Sequence, residues 1–216
     1  MGNRETVSVT ELEDSPRRRL AGLTLDLTPL RRSPAFRNLL IGDAVSVIGT
    51  QITLVAVPLQ VYAQTRSAAA VGLVGLAGLV PLIVFGLYGG AVADAVDRRR
   101  LVLATTCCQA GLSSLLLVQA LAGWRQTWLL YAVVAVQAGL FAIDSPARQA
   151  FIPRLLPVEL LPAGNALRQV EFTTGMTLGP LLAGGLVAAL GFGAAYGLDA
   201  VSFAASLLAV AALPSM

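Results

Sequence analysis

The chain contains no histidine and no lysine. Without histidine there is no Ser-His-Asp triad, no His-ligated zinc and no imidazole general base. Aspartate and glutamate remain as the groups able to move protons. Without lysine, all 15 basic residues are arginine, and most fall in short segments between apolar runs. That placement is a topology signal and not a phosphate-binding face, despite the net charge of +3; no nucleic-acid partner is expected. Charge itself is scarce, at 12% of residues against about 25% in soluble domains, which puts the chain in the membrane class. The two cysteines, Cys107 and Cys108, are adjacent inside an apolar run. Helical neighbours point apart, so they are expected as free thiols.

What the chain does have is six long apolar segments, at 36–62, 68–93, 101–121, 127–145, 165–190 and 193–213. Each reaches or approaches the length of about 20 residues that crosses a hydrocarbon core as a helix. The expectation is an all-α integral membrane domain over 36–213, a bundle of six transmembrane helices in a lipid bilayer. No apolar core of about 7–15 residues followed by a small-residue cleavage site opens the chain. Residues 1–35 are expected to form a largely disordered tail, with an amphipathic stretch near 20–30 at the lipid surface. Seven arginines lie at or before Arg37, three follow the second span, and Arg148 and Arg154 follow the fourth. The opposite side carries Arg66 and Arg125. This asymmetry places the N-terminus in the cytoplasm and the protein, multi-pass, in the cell membrane.

Glycine and proline recur inside the spans, at Gly72, Gly75, Gly78 and Pro81, and again at Gly175, Gly179, Pro180, Gly184 and Gly185. Single anchors do not need them; closely packed, bending bundles do. Polar residues also recur. Asp43, Ser46, Thr50 and Thr53 share one helical face by spacing. Gln137 and Asp144 are two turns apart, and Arg168 and Glu171 are close enough to pair. Gln109, Ser113 and Ser114 mark the third span, and Asp199 the sixth. Ionisable groups at membrane depth face a partner or a cavity. Asp43 lies about 9 Å beyond Arg37 along a helix, so either a functional role or an interfacial one fits it. A salt bridge from Asp144 to Arg148 one turn on, and a helix–helix hydrogen bond from Asp199, are the structural readings of those two acids.

The turn between the second and third spans reads Gly90-Ala91-Val92-Ala93-Asp94-Ala95-Val96-Asp97-Arg98-Arg99. It resembles the Gly-x-x-x-Asp-Arg-x-Gly-Arg-Arg signature of the major facilitator superfamily. Gly90, Asp94, Arg98 and Arg99 match; Ala95 and Asp97 depart from it. The resemblance implies a conformational latch built on Gly90, Asp94, Asp97, Arg98 and Arg99. In the fifth span, Gly175, Gly179, Pro180 and Gly184 match the Gly-x-x-x-Gly-Pro-x-x-Gly-Gly motif of the drug–proton antiporters of that superfamily, with Ala183 in place of one glycine. The segments 145–155, 164–167 and 196–203 resemble the exporter branch that includes the enterobactin and macrolide efflux proteins.

The resemblance implies a fold of twelve helices in two halves, each built from three-helix inverted repeats. By this resemblance the present chain is expected to correspond to the N-terminal half. It implies export of an amphipathic small molecule, a drug or a siderophore, by alternating access driven by protons, with no cofactor, no metal and no enzymatic step. Asp43 and Glu171 are the leading proton-coupling candidates, followed by Asp144 and Arg168. Thr50, Gln137 and Phe141 are candidates for the cavity wall. A second six-helix half, on the same or another chain, is the expected partner, and the half alone is expected to be marginally stable in detergent. The alternative is a non-transporting membrane partner or remnant that needs a second chain for activity.

Overall fold

The structure, a computed structural model, describes the backbone of residues 26–95 and 97–211 and the side chains of residues 26–87 and 97–211. Most of the expected tail therefore lies outside the described residues. A short helix, Thr28–Arg32, precedes the bundle with Pro29 buried. The membrane helices follow as α1 (Pro34–Thr65), α2 (Ala68–Ala95), α3 (Arg98–Leu121) and α4 (Thr127–Gln149). Two short turns of helix, Ile152–Leu155 and Val158–Leu160, lead into a final helical stretch, Leu161–Ala211.

That last stretch has 51 residues. A straight helix of that length would run roughly 77 Å, more than twice a hydrocarbon core. Gly191 breaks it, with φ +80° and ψ 179°, a conformation open essentially to glycine alone. The stretch is therefore two helices, α5 (161–190) and α6 (192–211), joined with no loop. Five stretches of the described residues are long and apolar enough to cross a membrane, and this break makes them six crossings. The spans expected from the sequence lie within these helices or within a few residues of their ends.

Local chemistry sets the remaining boundaries. Ser33 caps α1, its hydroxyl accepting from the Phe36 amide at 3.2 Å, and Pro34 takes the first helical position. Arg66 ends α1 in the left-handed region at φ 53° and returns its N–H to the Tyr62 carbonyl at 2.8 Å. Asp97 caps α3 by accepting from the Arg100 amide at 2.9 Å. Cys107 and Cys108 are free and exposed, as expected.

α1 is the spine of the bundle. It packs along α5 and α6, α2 packs along α4, and α3 joins α4 to α6. Glycines set how close α1 comes to its neighbours. A Cβ at Gly42 would lie 2.6 Å from the Ala209 Cβ of α6, and one at Gly49 would overlap Ser202. On the other side, Gly175 and Gly179 of α5 sit directly on Val47 and Gln51 of α1. α1 is thus held between two helices at backbone contact distance. The apolar core gathers on its middle and far half, where Ile52, Ala56, Val57 and Val61 meet Leu116, Leu130 and Tyr196.

The glycines therefore differ in consequence. Gly42→Leu or Gly179→Leu should lower stability by about 1–3 kcal/mol through overpacking. Gly72→Leu, with nothing within 4 Å of its added Cβ, should not. Thermal unfolding of the purified chain in one detergent, followed by monodispersity on a sizing column, distinguishes the two groups.

Candidate functional site

At the arginine-rich end of the bundle, one guanidinium among the described residues is buried. Arg148 occupies the last turn of α4 and is 8% exposed. Its Nε donates to Asp144 Oδ2 one turn back, and its Nη1 to Asp43 Oδ1 on α1. Nη2 donates to the Thr106 hydroxyl on α3 at 2.6 Å, and Nη1 also reaches Ser206 on α6 at 3.4 Å. The second Asp43 oxygen accepts from Arg168 Nη1 on α5 at 2.9 Å. Thr105 donates to the second oxygen of Asp144 at 2.6 Å. Two carboxylates and two guanidiniums therefore balance, and every membrane helix except α2 contributes. A charge pair removed from water offsets its desolvation only when its remaining donors and acceptors are filled in this way.

Further along the bundle the interior stays polar between α1, α3 and α6. Asp199 accepts from Thr53 at 2.8 Å and from Ser113 at 2.6 Å, which is the helix–helix bond expected of it. Near the opposite end, Tyr196 donates to Gln60 Oε1 at 2.6 Å, Gln60 donates to Gln119 at 3.0 Å, and Gln119 donates to the Trp124 carbonyl. Three polar tiers thus stack along α1, at Asp43, Thr53 and Gln60.

The candidates named from the sequence divide accordingly. Asp43, Asp144 and Arg168 come together around Arg148. The spacing of Arg168 and Glu171 suggested a pair, but Arg168 turns across the interface to Asp43 instead. Asp43 is only 4% exposed, and there the guanidinium is worth more than beside its own helix. Glu171 keeps a buried Oε2 with no hydrogen-bond partner. It lies at the edge of an open groove of about 190 Å³ formed by Leu40, Ile41, Ala44 and Ile48 of α1 and Thr174 and Gly175 of α5. Thr50 and Phe141 are exposed. Gln137 is half-buried and donates inward to Ser113 at 3.3 Å. By sequence, Arg148 reads as a topological charge. The one clue to its role was Asp144 a turn earlier.

A family model described as "Transmembrane secretion effector" matches residues 24–215. The chain belongs to this family, within the major facilitator superfamily. Among curated proteins it is 31% identical over 195 residues to the enterobactin exporter EntS of Citrobacter koseri, and equally to those of Shigella boydii and Salmonella typhi. In each comparison 89% of this chain aligns with 46% of the relative, so the chain spans about half the length of the curated relatives it matches. The fold is accordingly an all-α membrane bundle of the superfamily, multi-pass in a lipid bilayer. The family is one of membrane transporters.

Parts of two motifs named from the sequence lie among the described residues. In the turn before α3, Asp97 stands where the superfamily signature has glycine, and its carboxylate caps the helix. Arg99 donates to the Ala211 carbonyl at 2.8 Å, bringing a cation to the C-terminal end of α6 where the helix dipole favours one. Gly90 and Asp94 lie outside the residues whose side chains are described. In α5, Gly175, Gly179 and Ala183 form the buried edge, whereas Pro180 and Gly184 are exposed. The close approach permitted by this motif is therefore to α1 of the same chain, and the alanine at 183 falls on the packed face.

Arg148→Lys keeps the charge but not the fork. One ammonium cannot serve Asp43, Asp144 and Thr106 at once. The substitution should cost about 1–3 kcal/mol for the charged acceptors left short, read as a lower midpoint of thermal unfolding in detergent. A midpoint equal to that of the unsubstituted chain would show that charge alone suffices there.

Proposed function

We propose that the chain is the N-terminal half of a proton-coupled exporter that carries an amphipathic small molecule, of drug or siderophore class, out of the cell. The observation that carries the reading is the alignment of nearly the whole chain with about half the length of named enterobactin exporters. The Glu171 groove gives it chemistry. An apolar wall ending at a carboxyl with one buried, unpartnered oxygen offers contact to an apolar body and a place for a proton.

In this account the arginine-rich end is cytoplasmic, by the positive-inside bias. A second six-helix half, in the same polypeptide or another, covers the exposed sides of α2 and α5. Export proceeds as one half rocks against the other around a site near mid-membrane. Glu171 exchanges the coupling proton beside the Asp43–Arg168 pair. Asp43, Asp144 and Arg168, locked by Arg148, hold the helix ends that move as a body. Thr50 and Phe141 contribute to the cavity wall, and Gly90, Asp94, Arg98 and Arg99 to the latch against the partner half.

The test is efflux of a fluorescent amphipathic dye from vesicles containing the inserted chain, with and without an imposed pH gradient. Gradient-dependent efflux that Glu171→Gln abolishes, while leaving insertion unchanged, is the expected result. An inserted chain that moves no dye, alone or with an exporter C-terminal half supplied in the same membrane, would overturn the reading in favour of a non-transporting membrane partner.

A further inference from the structure

Asp199 differs from the other buried aspartates. Asp43 and Asp144 each meet a guanidinium, but no ion pair among the described residues includes Asp199. It is completely enclosed, at 0% exposure. Its hydrogen bonding is lopsided. Oδ2 accepts from both Thr53 and Ser113, whereas Oδ1 is buried with no partner. Oδ1 faces the backbone of α1 at Gly49, where an added Cβ would lie 2.8 Å from it.

The groups around it are polar but uncharged. α1 presents Gly49 and Thr53, and α3 presents Ser113. α4 presents Gln137, which donates to Ser113. On α6 itself, Ser202 donates to the Asp199 backbone carbonyl at 2.7 Å, and Tyr196, a titratable phenol, is turned to Gln60. Arg148 touches α6 at Ser206, about 10 Å further along the helix. A bare carboxylate shut away from water and from cations is strongly disfavoured and takes up a proton instead. The uneven bonding fits a neutral acid. Its carbonyl oxygen accepts two hydroxyls, and the other oxygen carries the proton.

We propose that Asp199 is a proton-binding site inside the six-helix bundle, holding its proton while α1, α3 and α6 are packed and releasing it when α1 and α6 part at Gly49. Release breaks the O–H bond, leaves the electron pair on Oδ1 and passes the proton to entering water. Proton occupancy is thereby tied to the position of α1, the helix that also carries Asp43 and one wall of the Glu171 groove. The site is separate from Glu171 and does not depend on the chain's being an exporter.

Infrared spectroscopy of the full chain in lipid nanodiscs tests this. The carbonyl stretch of a protonated carboxylic acid should be present at neutral pH, retained in Glu171→Gln, and missing in Asp199→Asn, which keeps shape and neutrality. Identical spectra for the unsubstituted chain and Asp199→Asn would overturn the proposal. So would a band that appears only after sodium is withdrawn, which would make the pocket a sodium site. A second measurement needs no variant. Amides of α1 around Gly49 should exchange hydrogen faster as pH rises, beyond the intrinsic chemical increase; exchange that follows the chemical rate alone would also overturn it.

Discussion

Arg148 cannot be buried alone. A guanidinium at 8% exposure has five donors to satisfy and a charge to balance, and in this bundle the means of doing so come from four different helices. Asp144 is on its own helix, Asp43 on α1, Thr106 on α3 and Ser206 on α6. Arg168 on α5 then balances the second oxygen of Asp43. Lipid supplies no hydrophobic drive for one apolar helix to pack on another. Polar closure of this kind, together with small-residue contacts, is what selects one arrangement of otherwise similar apolar rods.

The same logic runs along α1. Its inward face alternates small residues with polar ones, so that backbone contact at Gly42 and Gly49 is interleaved with bonds from Asp43, Thr53 and Gln60. α6 answers in reverse order with Ser206, Asp199 and Tyr196. A one-turn slip of α1 would break all three tiers together. The helix is consequently fixed in register on its inner side, while its outer side, with Ile41, Val45 and Leu54 exposed, is left for lipid or a partner.

Much of this architecture was legible in the sequence, because membrane spans are written in local composition. Six apolar runs predicted six crossings, and the short interval between the last two was resolved by Gly191. The Asp144–Arg148 bond was also visible, being one turn apart. The rest was not, for a physical reason. Arg148 and Asp43 are 105 residues apart, and Arg168 and Asp43 are 125 apart; spacing rules stop at one helix. Helical spacing groups Thr50 with Asp43, Ser46 and Thr53, yet Thr50 is exposed and the other three are buried, since a face wide enough for four residues meets different neighbours along its width. Helical proximity likewise favoured Arg168 with Glu171, but the more deeply buried Asp43 holds the guanidinium.

Asp43 and Arg148 behave energetically as one unit across the α1–α4 interface. A double-mutant cycle of Asp43→Asn and Arg148→Gln, read as unfolding free energy in mixed micelles, measures that directly. The expected coupling is at least about 1.5 kcal/mol, in the range of close charge pairs removed from water. Effects that add to within about 0.5 kcal/mol would contradict it, and would leave small-residue packing as the interaction that holds the bundle.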